Sequence, residues 1–299
     1  MKSLFPYAAV LAAMLAVPAA AQETQQAIVS QSSDAGQRVN LAGKLRMLSQ
    51  RIPAAACNQA GGITTGEAVA LLEGAVEEFQ AILNALEDGD PDLGIDRPEQ
   101  GKRVLADLGA LQAIWYPVRS DFDALAAGAV SDERVARIIE TEPQLLDVAR
   151  HLVAMVTAQH SDPNALDLSH ALAIDVAGRQ RMLAQRMSKS ACMMVEGLEP
   201  ERAAAELAGA RSDYGASLAA LRNGMPAAGI IEPPTDEIAA ALDDVATIWA
   251  RFEGLLDAVV AGEATPDQRA EIMRLANSLT AEMNRTVGLY TQFAQRNML

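Results

Sequence analysis

The 299-residue sequence carries 24 lysines and arginines against 39 aspartates and glutamates, and its net charge of −15 argues against nucleic acid and anionic membrane as partners. Half of the residues are hydrophobic but only 4% are aromatic, a balance that suits alanine- and leucine-rich helix bundles. No stretch beyond the N-terminal leader is long and apolar enough to span a bilayer.

Residues 1–21 read as a signal peptide. Lys2 precedes an apolar run through Val17, and Pro18-Ala19-Ala20-Ala21 places small residues where a signal peptidase needs them. Cleavage after Ala21 would deliver a periplasmic or secreted chain, one unit more negative for the loss of Lys2. The competing reading is an uncleaved membrane anchor.

From Glu23 to about Asn58 the pattern predicts one helix, with Pro53 kinking it or loosening its preceding turn. Thr64-Thr65-Gly66-Glu67 offers capping chemistry for a second helix, whose Val69, Leu72, Val76, Phe79, Leu83 and Leu86 recur at helical spacing. Asp88-Gly89-Asp90-Pro91 stops it. A third helix is expected over residues 99–127, with Leu105, Leu108, Leu111, Trp115, Phe122 and Leu125 inward. Ser131 can cap a fourth that runs to about Gln159, with Pro143 as a possible kink. Residues 161–164 form a linker, after which the series restarts: a helix to about Glu196, another ending near Asn223-Gly224, and a last helix launched by Thr265-Pro266.

The restart is a duplication. Residues 40–58 return at 175–193: Gly43 meets Gly178, Arg46 meets Arg181, Met47 meets Met182, Gln50 meets Gln185, Arg51 meets Arg186 and Cys57 meets Cys192. Beyond the motif, Phe79 answers Tyr214, Pro98 answers Pro233, and, after the loss of one residue, Trp115 answers Trp249 and Gly128 answers Gly262. The expected fold is therefore all-α: two tandem four-helix up-down bundles, residues 22–160 and 165–299, related by a pseudo-twofold axis. Four alternating helices end at the level where the first began. A short linker then sets helix 5 parallel and adjacent to helix 1.

Residues 43, 46, 50, 53 and 57 are spaced 3, 4, 3 and 4, which puts Gly43, Arg46, Gln50, Pro53 and Cys57 on one seam, answered by Gly178, Arg181, Gln185, Ser188 and Cys192. Glycine permits close backbone approach, whereas a buried arginine or glutamine needs a polar partner. Paired in parallel, the helices bring Arg46 and Arg181 face to face. At about 6 Å and an effective dielectric of about 20 they repel by roughly 3 kcal/mol, whereas an anion about 4 Å from each gains roughly 4 kcal/mol twice before its desolvation. Either a small anion or acidic side chains can resolve that conflict. Two cysteines at equivalent seam positions of an exported protein invite a Cys57–Cys192 disulfide, against the alternatives of two free thiols or bonding between chains. Arg51 and Arg186 lie about 140° round the helix from the seam arginines and are assigned to structural salt bridges, and Met47 and Met182 to core filling. Met187, Met193 and Met194 beside Cys192 hint at copper(I), but the first copy has no matching methionines.

The motif Asn40-x-Ala42-Gly43-x-x-Arg46-Met47-x-Ser49-Gln50-Arg51 and its second copy resemble the signature helix of the type IV pili methyl-accepting chemotaxis transducer N-terminal domain, a helix shared with the periplasmic sensor domain of nitrate/nitrite sensor kinases. In those kinases the sensor is a dimer of four-helix bundles, and the arginine three residues after the motif glycine binds nitrate at the dimer interface, helped by backbone near that glycine. By position, the resemblance implies Arg46 and Arg181 as ligands of a small anion, with Gly43 and Gly178 shaping the site; Gln50 and Gln185, on the same seam, complete the candidate ligand-binding set. Asp175 departs from the motif asparagine, and Ala184 replaces Ser49.

The sequence reading is thus an exported, non-catalytic sensor-like protein that binds a small oxyanion of the nitrate or nitrite type between its halves, with no cofactor and no metal. The reading expects no transmembrane helix, kinase or methyl-accepting region beyond Leu299, and therefore signalling through a protein partner. The alternative is a helical protein-interaction or scaffold module with no small ligand. Against an enzyme, His151, His160 and His170 fall outside the motif helices, no metal-ligand spacing occurs, and no serine or cysteine has an evident base partner.

Overall fold

The computed structural model describes residues 19–160 and 168–296. The leader up to residue 18 and the expected linker at 161–164 lie outside them. Eight helices occupy the described residues: α1 (Ala19–Ala60), α2 (Thr65–Asp88), α3 (Lys102–Ala126), α4 (Asp132–His160), α5 (Leu168–Glu196), α6 (Pro200–Asn223), α7 (Asp236–Val260) and α8 (Pro266–Arg296). No helix among the described residues is long and apolar enough to cross a membrane. Because α5 begins at Leu168, His170 lies within the second motif helix, not outside it.

In each half the first helix packs against the second and fourth, and the third closes the ring between them. This is the up-down arrangement that short connections impose. The halves meet chiefly along α1 and α5, which run parallel and in register. At one end of the pair Cys57 and Cys192 form a disulfide, with their Cα atoms 6.2 Å apart. Near the other end Arg181 Nη1 donates to Asn40 Oδ1 at 3.1 Å. The equivalence reaches the cores: Phe79 stacks on Trp115 at 4.0 Å between centroids, and Tyr214 on Trp249 at 4.4 Å.

Some local expectations are corrected. Thr64 does not cap α2. It adopts the left-handed region at φ 41°, as its equivalent Glu199 does at φ 42°, so the turn is set by backbone geometry common to both halves. Ala68 and Val104 take the buried positions expected of Val69 and Leu105, which are only partly buried. By contrast Thr265 and Gln268 form a reciprocal capping box at the start of α8.

The two prolines discussed above lie inside continuous helices, α1 and α4. Proline removes the donor owed to the carbonyl four residues back. For Pro53 that carbonyl belongs to Ser49, and the Gln50 side-chain amide donates to it at 3.3 Å. For Pro143 it belongs to Ile139, and Arg202 reaches over from α6 to donate to it at 3.2 Å. The second contact ties the first bundle to the second.

Candidate functional site

Arg46 on α1 and Arg181 on α5 are both buried, 7% and 2% exposed. A Cβ added to Gly178 would lie 3.4 Å from Arg181 Nη2 and 3.8 Å from Arg46 Nη2, so both guanidinium groups face the same small volume. A Cβ on Gly43 would approach Arg181 Nη2 to 3.0 Å. The two glycines are what allow the cations to lie between closely paired backbones.

Around them lies a cavity of about 110 Å³. Its lining follows the pseudo-twofold axis in pairs: Gly43 with Gly178, Arg46 with Arg181, Val153 with Val287, Thr157 with Thr291, and Asn40 with Asp175. Only the last pair differs in charge, and it sets how each arginine is neutralised.

Asp175 Oδ1 stands 3.7 Å from Arg46 Nη1, within ion-pair reach but long for a hydrogen bond. Arg46 Nε is buried without an acceptor. Burial lowers the Arg46 pKa, Asp175 opposes that shift, and Arg179 and Arg150 add to it. Arg181 is held by neutral acceptors alone: Gly178 O at 3.3 Å, Asn40 Oδ1 at 3.1 Å and Asn284 Oδ1 at 2.6 Å. No carboxylate pairs with it among the described residues. Burial, and secondarily repulsion from Arg46, push its pKa down to about 10, so it remains a cation at neutral pH.

Gln50 and Gln185 do not line this cavity, and the structure corrects their expected place beside the anion. At their level the two side chains are taken by the fourth helix of their own halves. Gln50 Nε2 goes to Glu142 on α4 and to Ser49 O, whereas Gln185 Nε2 donates to Ala276 O, Asn277 Oδ1 and Thr280 Oγ1 on α8.

Glu142 also anchors a group of charges that the sequence reading did not single out. Lys189, fully buried on α5, lies 2.6 Å from Glu142 Oε2 and 2.8 Å from Glu206 Oε2, with Arg202 3.3 Å from Glu142. Repeat-equivalent positions hold Ala54 for Lys189 and Leu71 for Glu206, so the cluster exists once. This difference corrects one further expectation. Arg186 has its carboxylate, Glu206 at 3.6 Å, but Arg51 forms no salt bridge among the described residues, because Leu71 stands where its partner would be and Lys44 takes Glu78 at 2.8 Å.

Asn284, Val153, Thr157, Val287 and Thr291 are site residues that motif reading missed. The one available signal was their recurrence at the shortened offset, Val153 with Val287 and Thr157 with Thr291.

Two stretches, residues 27–141 and 165–275, match the family described as Type IV pili methyl-accepting chemotaxis transducer N-term. Protein PilJ of Pseudomonas aeruginosa is 29% identical over 243 residues, which cover 80% of this chain and 34% of that protein. Methyl-accepting chemotaxis protein McpN of the same organism is 34% identical over 117 residues, 39% of this chain and 21% of that protein. The chain thus spans at most about a third of the length of these relatives.

Proposed function

The chain belongs to the type IV pili methyl-accepting chemotaxis transducer N-terminal family, a non-catalytic sensory module, and from that premise we propose that it binds a small oxyanion between its two repeats. Nitrate and nitrite are the smallest members of the class. The observation that carries this reading is Arg181, a buried cation beside a second buried cation, with neutral acceptors only. An anion in the shared cavity removes the repulsion and reaches Arg46 as well.

The same reading places the protein in an exported compartment after removal of residues 1–21, with sensor-like repeats at 22–160 and 165–299. It passes its bound or free state to a protein partner, as membership in a signalling family suggests. The rival, an interaction module without a ligand, draws support from Asp175, which supplies one of the two negative charges the arginines call for.

A thermal-shift and calorimetry screen with nitrate, nitrite, sulfate, phosphate and small carboxylates tests the proposal. Saturating an authentic site at about 100 times Kd stabilises the fold by about 2.7 kcal/mol, and that gain should vanish in both Arg46→Ala and Arg181→Ala. If no anion moves the melting temperature of the parent, the anion reading is wrong and the interaction module stands.

A further inference from the structure

The arginine cavity does not end at the arginines. A second cavity of about 370 Å³ lies between α1 and α8 and shares Gly36, Asn40, Val287 and Thr291 with the first. Asn40 and Asn284, which line the outer cavity, accept from Arg181 Nη1 of the inner one, so the two cavities adjoin at this arginine. The inner cavity has room for only a few heavy atoms, whereas the outer one has the size of an ordinary small-molecule site, roughly 300–1,000 Å³.

The outer lining has a definite chemistry. It presents the amides of Gln37, Asn40, Asn284 and Gln292, the Thr291 hydroxyl and the Lys44 ammonium, and no carboxylate. Thr291 spends its proton on Val287 O at 2.9 Å, leaving oxygen lone pairs to accept. Lys44 is already neutralised by Glu78 at 2.8 Å, so the outer cavity offers no unpaired cation for a second anionic group. Amides supply donors and acceptors together, which suits hydroxyl groups better than an alkyl chain or another charge.

This extension is one-sided. Across the pseudo-twofold axis, Leu172, Arg150, Ala154 and Ala158 stand where the α1–α8 side has Gln37, Asn284, Gly288 and Gln292. Gly288 keeps the α1–α8 side open, since a Cβ built there meets no atom within 4 Å. The orphaned Nε of buried Arg46 marks the inner end as a place where an acceptor is wanted.

We infer that the site accepts, beyond a bare inorganic oxyanion, an oxyanion group carried on a short, neutral, hydroxylated body, that is, a small hydroxycarboxylate whose carboxylate meets Arg46 and Arg181 and whose hydroxyls occupy the α1–α8 cavity. The inference rests on the anion reading of the arginines. It adds a subsite that this reading does not need.

Calorimetry of the mature chain with sodium nitrate, acetate and glycerate separates the two. Glycerate should bind at least tenfold tighter than acetate. Gly288→Leu, which projects a side chain into open space, should erase that advantage while changing nitrate affinity less than twofold, and Arg181→Ala should weaken all three. A ligand-free melt checks the fold of Gly288→Leu. If it is lost, Gln292→Leu at the exposed end of the cavity must lower the glycerate-to-acetate ratio instead. Glycerate no tighter than acetate, or an advantage that survives the filled cavity, overturns the outer subsite and leaves nitrate binding standing. Failure of all three ligands in the parent overturns the anion reading and the subsite with it.

Discussion

Replacing Asp175 with asparagine restores to the second copy the residue the first copy carries at Asn40, and it isolates the one charge that breaks the symmetry of the cavity. Asp175 Oδ1 is 3.7 Å from Arg46, so an anion held by both arginines would sit about 6 Å from that carboxylate. Their repulsion is about 3 kcal/mol at an effective dielectric of about 20 and about 0.7 kcal/mol in bulk water. The Asp175 side chain is 43% exposed, so solvent screening brings the expected value to about 1–2 kcal/mol, or roughly 5- to 30-fold in affinity. Asp175→Asn should therefore bind nitrate roughly 5- to 30-fold more tightly by calorimetry. The free protein should melt lower than the parent, because Arg46 loses the counter-charge that offsets Arg181, and saturating nitrate should close most of that gap. Both effects have the same origin and must appear together. Unchanged or weaker nitrate binding in Asp175→Asn would refute the shared-anion argument, since no other carboxylate pairs with either arginine among the described residues.

Other expectations follow from the same geometry. The Cys57–Cys192 bridge closes a loop with a sequence separation of 135, worth about 5 kcal/mol on a chain-entropy estimate. Cys57→Ser should lower the urea-unfolding free energy by about 2–5 kcal/mol, and denatured, unreduced parent should expose no reactive thiols; two thiols per chain would end the proposal. Lys189→Met alone leaves the buried Glu142 short of its closest cation and should cost about 3–5 kcal/mol, whereas Lys189→Met with Glu142→Gln should recover most of it in a double-mutant cycle. If the losses of the two single variants simply add in the double variant, the pair is not coupled. Burial pushes the Arg181 pKa in the folded chain below its ordinary value, to about 10. The unfolded state therefore binds more protons above about pH 10, so the stability cost of burying the charge is fully present below about pH 10 and relieved as pH rises towards the ordinary arginine range. Nitrate affinity should be level from about pH 7 to 9 and fall above about pH 10, when the free protein gives up that proton. A fall centred near neutral pH would point to a different group.

The helices and their pairing were legible because each rests on a local rule or on a repeat. Periodicity marks the apolar faces, Thr265-Pro266 launches α8, and an offset that returns Gly43, Arg46 and Cys57 together brings the two motif helices into register. Thr64 misled because a left-handed residue can start a helix without a side-chain cap, and nothing in Thr-Thr-Gly-Glu reveals that choice. Gln50 and Gln185 misled because a seam drawn on one helix does not say which neighbour covers each level. Their amides are claimed by α4 and α8, and Gln50 also serves a carbonyl that Pro53 leaves without its donor.

From the sequence alone follow the all-helical duplication, the parallel setting of α1 and α5 and the meeting of Arg46 with Arg181, with Cys57 and Cys192 as candidates for a bond that the structure then shows. These depend on the chain's own periodicity and on the parity of four short-connected helices. How the arginines are neutralised belongs to the tertiary structure. Electrostatic balance depends on distances and burial of a few ångströms between groups far apart in sequence: Asp175 across the axis at Arg46, Asn40 and Asn284 at Arg181, and Glu142 drawing in Lys189 and Arg202. Side chains on five different helices settle those distances, and no spacing along one of them contains that information.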